Sequence, residues 1–542
     1  MNTNFEPSIP ANERILDYAP GSTERADLKR ELEKQSGEIV EIPLIIGGRE
    51  VKTDNLGNCI MPHDHGHILA RYHIARQNEL EAAIDAALKA KEKWMSLPFV
   101  HRASIFKKAA DLISGPYRSK MIAATMLNQS KTVHQAQIDC VCELSDFLRF
   151  NACFAGDIFK DQPISPPGVI NRMEYRPLDG FVAAVTPFNF TAIGGNLPSA
   201  PALFGNTVLW KPASSSVLSN YYVMRAFIEA GLPAGVINFV PCRGGDMSRF
   251  VLANRKLGGF HFTGSTEVFQ DVWKQIAANI GNYESYPRLV GETGGKDFVF
   301  AHKSAETGPL TAALILGAFE YQGQKCSAAS RAFIPKSLWG EMKVRLLDEV
   351  SKIKTGDVRD FTNLCGAVID KRAFDRIKAY IEYARSSPNA SILAGGDCDD
   401  SKGYFIKPTV IEADSPAFKT MVEEIFGPVL TIYVYDDDKL DETLEACDKA
   451  TPYALTGSIF ASDRYAIKYM EIKLVHSAGN FYINDKPTGA VVGQQPFGGG
   501  RTSGTNDKAG SKINLYRWTS PRSVKESLVP SSRIAFPFME EE

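Results

Sequence analysis

Over residues 78–96 apolar positions recur at helical spacing: Leu80, Ile84 and Leu88 share one face, while Asp85 and Lys89 lie off it. Residues 1–45 are polar, with a helix predicted near 22–36, and helical patterns continue through 101–113 and 121–150. Residues 160–175 break the rhythm with Pro163, Pro166 and Pro167 and run into an extended stretch at 169–174, read as a loop and strand leaving the main body. Short apolar runs then alternate with helical segments. Strands are predicted at Phe181–Val185, 207–211, 236–240, 258–262 and 288–291, and the helix Val217–Ala230 is stopped by Gly231-Leu-Pro233. This is the βαβ rhythm of a doubly wound parallel sheet, which binds ligands at the C-terminal strand ends. A second α/β region follows, with strands at Asp297–Ala301, 331–334, Val429–Tyr435 and 480–485 and helices at 305–321, 339–354 and 372–387. A glycine-rich loop covers 493–510, 512–527 reads as extended, and the acidic end 540–542 reads as disordered.

The 542 residues predict three or four domain-sized units, or two large ones. Lys and Arg number 61 against 63 Asp and Glu, a net charge of −2, which argues against broad binding to nucleic acid or an anionic membrane. No apolar run reaches the ~18 residues of a spanning helix. The N-terminus lacks a basic start followed by an apolar core, and Glu6, Glu13 and Asp17 disfavour a transit peptide. Nine cysteines, an odd number at irregular spacing with no C-x-x-C, predict free thiols in a reducing compartment. His63, His65 and His67 alternate; without a carboxylate or thiol cluster beside them they read as a surface turn, and no metal is expected.

Six segments carry chemistry. They are Thr-Pro-Phe-Asn-Phe-Thr at 186–191, Gly-Ser-Thr-Glu-Val-Phe at 264–269, Leu-Val-Gly-Glu-Thr-Gly-Gly-Lys at 289–296, Gln-Gly-Gln-Lys-Cys-Ser at 322–327, Glu-Ile-Phe-Gly-Pro at 424–428 and Pro-Phe-Gly-Gly-Gly at 496–500. Singly, a glutamate in a glycine-rich turn or a cysteine after a helix is ordinary. In this order and spacing, over nearly the whole chain, they resemble the aldehyde dehydrogenase superfamily.

The resemblance implies a cofactor domain at 1–159 and 179–293, a catalytic domain at 294–493, a glycine-rich loop region at 494–511, and a small oligomerisation β-flap at 160–178 and 512–527. It implies Cys326 as nucleophile, Glu292 as the base that activates water, and Asn189 with the Cys326 backbone N–H as the oxyanion site. The chemistry suits those types: a thiolate adds well and leaves well from a thioester, and oriented donors stabilise the oxygen charge of the adduct. For the cofactor it implies Thr186, Lys211, Ser214, Gly264, Ser265, Glu424 and Phe426. The pyrophosphate would meet N–H groups at the helix start formed by Gly264 and Ser265. NAD is the expected cofactor. Ser214 stands where NAD-strict members often carry Glu, which leaves NADP open.

The local words at 186–195, 321–327, 495–499 and 503–507 resemble members that oxidise L-glutamate γ-semialdehyde, whose carboxylate and ammonium need anion donors far from the aldehyde. The resemblance puts Ser327 and the N–H groups of Gly489 and Ala490 on that carboxylate, Phe190 and Phe497 around the methylenes, and Glu143 with Lys325 nearby as an acid–base pair. Some members carry Ser where this chain has Ala490. The flap implies a homodimer or larger homo-oligomer formed by strand addition, and the length leaves no room for an attached proline dehydrogenase. The location implied is cytoplasmic, or the mitochondrial matrix in a eukaryote. Alternatives are an aldehyde dehydrogenase for another dicarboxylic semialdehyde, a thiol hydrolase or acyl transferase built on Cys326, and a non-catalytic binding protein. The second usually employs a histidine base, and the motifs contain none.

Overall fold

The computed structural model describes residues 8–541; residues 1–7, read as lacking a signal sequence, and Glu542 of the acidic tail lie outside them. Two seven-stranded sheets carry the architecture, the α/β fold that the alternation predicts. In the first, Arg288–Glu292, Leu257–Thr263, Phe181–Val185, Val208–Lys211 and Ile237–Phe239 lie parallel in that order, and the hairpin Leu44–Ile46 and Arg49–Val51 completes one edge antiparallel. From Phe181–Val185 the chain winds outward through 208–211 and 237–239, then crosses back to 257–263 and 288–292. The winding direction therefore reverses beside Phe181–Val185, and a crevice opens there at the strand ends. Register sets which residues border it, since Val185 pairs with Lys211 and with Phe262, and Thr263 pairs with Glu292.

These strands are apolar on both faces because both faces are covered. Phe181, Ala183, Leu209 and Phe260 join one hydrophobic cluster; Val182, Ala184, Val208 and Trp210 join another on the opposite face. Each such large side chain contributes about 1.5–3 kcal/mol on burial. The second sheet runs Ala390–Ala394, Thr409–Ala413, Val429–Tyr435, Ala329–Pro335, Asp297–Ala301, Thr456–Phe460 and Asn480–Ile483, parallel except for its first pair. Only residues 293–296 separate the last strand of one sheet from a central strand of the other, so Glu292 lies at their seam.

Several local readings change. The run 121–150 is not one helix. Arg118–Gln129 ends at Ser130 in the left-handed region (φ +55°), and the chain restarts through Val133–Gln137, a π-helical turn Ile138–Glu143 and Leu144–Ile158. The tail 512–527 is not extended throughout: Ser511 caps a short helix Lys512–Tyr516, and only Ser520–Ser527 is strand. That strand pairs antiparallel with Val169–Arg176 as a largely exposed ribbon. The segment 63–67 is not a surface turn: only residues 62–63 are turn, His63 is buried, and His65 and His67 lie on the strand Asp64–His73. All nine cysteines are free thiols. Among the described residues no helix is long and apolar enough to cross a membrane, and no cluster of His, Cys, Asp and Glu is arranged to hold a metal ion.

Candidate active site

Three loops converge where the sheets meet. The first leaves Phe181–Val185 and opens the helix Thr191–Leu203 with Asn189 and Phe190. Its helix start is capped from a distance, as Asp139 accepts from the N–H groups of Thr191 (3.0 Å) and Ala192 (2.8 Å). Asp139 is paired in turn with buried Lys131 at 2.7 Å, whose ammonium sits over the rings of Phe190 (4.1 Å) and Tyr321 (4.4 Å).

The second loop carries Cys326 into the strand Ala329–Pro335. Just upstream, Tyr321 (φ +52°) and Gln322 (φ +55°) are left-handed, a conformation that costs of the order of 1–3 kcal/mol each for such residues. Gln322 offsets it by donating to the carbonyls of Ser130 (3.0 Å) and Ala367 (2.7 Å). The Asn189 side chain donates to the Gln324 carbonyl at 3.1 Å. That fixes the amide two residues from the thiol and leaves its second N–H for another acceptor.

The third loop runs from Glu292 through Gly294 and Gly295. A Cβ on Gly295 would lie 2.3 Å from the Cys326 carbonyl oxygen, and one on Gly294 would lie 2.6 Å from Glu424 Oε2. The loops cross at backbone thickness, which only glycine allows. The Gly295 N–H donates to Glu424 Oε1 at 2.9 Å. Phe426 (φ +56°) turns its ring edge-on to Phe188 at 5.8 Å.

Electrostatics follow from burial. The Cys326 thiol is held well above its ordinary value by burial, with Asp297, Glu292 and Glu424 adding to the effect. Burial also raises Glu292 well above the carboxylate range; Lys508 opposes this and Asp507 reinforces it. Glu292 Oε2 is buried without a hydrogen-bond partner. Glu424 is raised by burial, against the Gly295 N–H, Arg376 and Lys296. Burial thus favours the neutral form of both groups, the state in which each can exchange a proton with the other or with water.

At the strand ends of the first sheet, a cavity of about 270 Å³ is lined by Tyr72, Lys211, Ser214, Cys242 and Arg243 among others. Thr186, buried at the end of Phe181–Val185, donates its N–H to the Lys211 carbonyl (3.1 Å) and accepts from the Trp210 indole (3.2 Å). Ser265 caps the helix Thr266–Ala278, accepting from Val268 N–H. The Gly264 N–H, expected to face an anion, instead donates to the Glu292 carbonyl at 3.2 Å, because the parallel ladder extends one residue past the strand. That leaves the anion-facing donors to Ser265 and the first helical turn.

On the far side of Cys326, the Ser327 hydroxyl is 2.8 Å from that of Thr488, beside Gly489 (φ +99°) and Ala490. Phe190 and Phe497 are both partly buried, and Phe497 bridges to Ala509 through paired backbone hydrogen bonds. Lys325 makes its ion pair with Glu320 (3.1 Å), not with Glu143. Lys325 reaches Glu143 only by longer-range attraction, and burial with Asp139 and Asp146 pushes Glu143 up to about 8. Thr488, Lys508, Arg243 and the Lys131–Asp139 pair were absent from the sequence-predicted set; each is brought in by contacts across more than one element, which spacing does not reveal.

The Aldehyde dehydrogenase family profile matches residues 51–524, and the chain belongs to that family. It is 52% identical to a Delta-1-pyrroline-5-carboxylate dehydrogenase, mitochondrial, of Dictyostelium discoideum, across 98% of this chain and 96% of the relative. The Homo sapiens protein of that name is 49% identical across 98% and 94%. The crystal structure of the Mycobacterium tuberculosis Delta-pyrroline-5-carboxylate dehydrogenase bound with NAD is 50% identical and superposes with a TM-score of 0.96, each chain covered in full.

Proposed function

We propose that this chain is the NAD-dependent dehydrogenase of L-glutamate γ-semialdehyde, the open form of Δ1-pyrroline-5-carboxylate, yielding L-glutamate in the second step of proline catabolism. The observation that carries it is the convergence of a half-buried thiol, a half-buried carboxylate and an anchored asparagine amide at the seam of the two sheets. The relatives named above, near half identical over almost their whole length, support the substrate.

In this reading Glu292 takes the Cys326 thiol proton and passes it to water, Sγ bonds to the aldehyde carbon, and the developing oxyanion is met by the Asn189 amide and the Cys326 backbone N–H. Losing one such donor costs about 3–4 kcal/mol. NAD, when bound, accepts the hydride. The cavity fits its adenosine end, with Lys211 and Ser214 on the ribose, Arg243 at its rim, Thr186 along the cleft and Ser265 at a helix start suited to pyrophosphate. Glu424 and Phe426 hold the nicotinamide end. Glu292 then takes a proton from water as the oxygen attacks the thioester, the C–S bond breaks, and the thiolate leaves. Ser327, steadied by Thr488, and the N–H groups of Gly489 and Ala490 receive the substrate carboxylate; Phe190 and Phe497 flank its methylenes; Glu143 and Lys325 lie beside them.

The division into a cofactor unit (1–159, 179–293), a thiol unit (294–493), a loop region (494–511) and a flap (160–178, 512–527) belongs to the same reading. The exposed ribbon of Val169–Arg176 and Ser520–Ser527 supports a homodimer or larger homo-oligomer by strand addition. A reducing compartment fits, the mitochondrial matrix in a eukaryote or the cytosol in a bacterium. The test is NADH absorbance when purified protein meets pyrroline-5-carboxylate at neutral pH, lost in Cys326→Ala. A panel of glutamate, succinate and simple aliphatic semialdehydes with NAD and NADP separates this substrate from a related one.

A further inference from the structure

We propose that Lys508 is a positioning residue for Glu292: its ammonium, anchored on backbone carbonyls, holds a fixed positive charge against that carboxylate and sets the pH range of thioester hydrolysis. This rests on the dehydrogenase reading above. Lys508 Nζ donates to the carbonyls of Gly479 (2.7 Å) and Gly498 (2.9 Å), with Asn480 Oδ1 at 3.4 Å. Gly498 lies between the two charges. A Cβ built on it would stand 3.1 Å from Glu292 Oε1 and 3.2 Å from the Lys508 backbone nitrogen. The loop approaches this closely because Asn506 (φ +56°) and Lys508 (φ +50°) are both left-handed, a strain that persists only where surrounding contacts over-determine it.

The charged groups facing Glu292 are few. Lys508 attracts it and Asp507 repels it, while the nearby Gly499 N–H favours its ionised form. On the third side the Cys326 thiol feels its charge. Asp507 is partly neutralised by Arg517 at 3.4 Å and by the Thr505 hydroxyl at 2.6 Å. Lys508 makes no ion-pair contact with Asp507 or Glu292, so its charge is carried by carbonyls rather than consumed by a carboxylate. Burial favours the neutral acid of Glu292, yet hydrolysis needs the ionised form to take a proton from water. The Lys508 cation, lowered by burial and raised by Glu292, shifts the balance toward that form.

The experiment compares the full-length wild type with Lys508→Met, Lys508→Gln, Lys508→Arg and Glu292→Gln, by rapid-mixing NADH formation and by steady-state rate against pH. The wild type turns over; its failure to form NADH would overturn the dehydrogenase reading instead. Lys508→Met and Lys508→Gln are expected to release about one equivalent of NADH rapidly. They then turn over roughly tenfold more slowly at neutral pH, recovering as pH rises, because loss of the cation raises the Glu292 titration. Lys508→Arg is expected to keep the wild-type profile, and Glu292→Gln to stop after the first equivalent at every pH. A wild-type pH profile in Lys508→Gln would overturn the proposal, since glutamine keeps a donor and loses only the charge. So would Lys508→Arg failing as severely as Lys508→Met, which would mark a purely steric role.

Discussion

Replacing Lys131 with methionine removes one charge from a site that the structure has dried. Lys131 and Asp139 are 1% and 0% exposed and 2.7 Å apart. Methionine leaves the Asp139 carboxylate buried without its cation, a loss of about 3–5 kcal/mol. The contacts of the same ammonium with the Phe190 and Tyr321 rings (4.1 and 4.4 Å), about 0.5–2 kcal/mol by themselves, fall within that figure and do not add to it. The hydrogen bonds from Thr191 and Ala192 N–H to Asp139 survive, each worth about 1.5–3 kcal/mol, and they keep the loss from growing further. The expected total, near 4 kcal/mol, is a large share of the 5–15 kcal/mol typical of a folded protein. Lys131→Met should fold with a urea midpoint well below wild type and an unchanged slope, and kcat should fall because the Asn189–Phe190 loop loses its anchor. In the double variant Lys131→Met with Asp139→Asn, the stranded charge is gone, so stability should rise above that of Lys131→Met alone. A loss under about 1 kcal/mol in the single variant, or a double variant less stable than the single, would refute the buried-pair argument.

Iodoacetamide should label Cys326 slowly at neutral pH and faster as pH rises past the ordinary thiol range, because burial and then Asp297, Glu292 and Glu424 raise the thiol; mass spectrometry at the Cys326 peptide reads this, and labelling already maximal at pH 7 would contradict it. In Glu292→Gln that rise should shift to lower pH if the carboxylate acts on the resting thiol by charge alone, whereas slower labelling at every pH would mark it as the thiol's own base. His63 is held down to about 4, mainly by burial, against the attraction of Asp357. The unfolded chain therefore takes up this proton before the folded one, so its contribution is intact above about pH 6.5 and is lost as pH falls toward 4, reaching about 3 kcal/mol. His63→Gln should flatten unfolding midpoints across that window, and an unchanged slope there would count against it. Ser214→Glu should cut kcat/KM with NADP about tenfold or more and spare NAD, since like charges brought together at a contact cost on the order of a few kcal/mol; equal losses with both cofactors would show that Ser214 does not face the ribose.

The five parallel strands of the first sheet and four of the second were legible as short apolar runs between helical segments, whereas the edge hairpin 44–51 and the strands Ala390–Ala394, Thr409–Ala413 and Thr456–Phe460 were not read. The helix starts at Ser22 and Ser265 were also legible, as each serine accepts from an N–H three residues on. The break at Ser130 was hidden: the apolar residues on either side keep helical spacing, and what stops the helix is a left-handed residue held by the N–H of Ala367, 237 positions away. The helix Lys512–Tyr516 is only five residues long, too short for its period to show. Within the candidate site, motif words identify residue types but not partners. They bring Lys325 beside Glu143, whereas the fold pairs it with Glu320 five residues earlier, through a turn that requires left-handed Tyr321 and Gln322.

The near-zero net charge says little about the field at the thiol. Charges on exposed side chains are screened within ~8 Å at physiological ionic strength, whereas those at the seam of the sheets are withdrawn from water and interact several-fold more strongly. Three carboxylates act on Cys326, namely Asp297, Glu292 and Glu424. A buried or half-buried cation faces each one: Arg331 toward Asp297, Lys508 toward Glu292, Lys296 toward Glu424. Lys296 is itself pushed down to about 7 by burial and by Arg331, so its charge depends on its acidic neighbours as theirs depends on it. Neutralising one member of such a set shifts the others in a direction fixed by proximity, while neutralising a surface lysine shifts none of them. The acid–base behaviour of the thiol is therefore a property of seven side chains drawn from four stretches of the chain, 292–297, 326–331, Glu424 and Lys508, and it would be unchanged in a chain carrying many more surface charges of either sign.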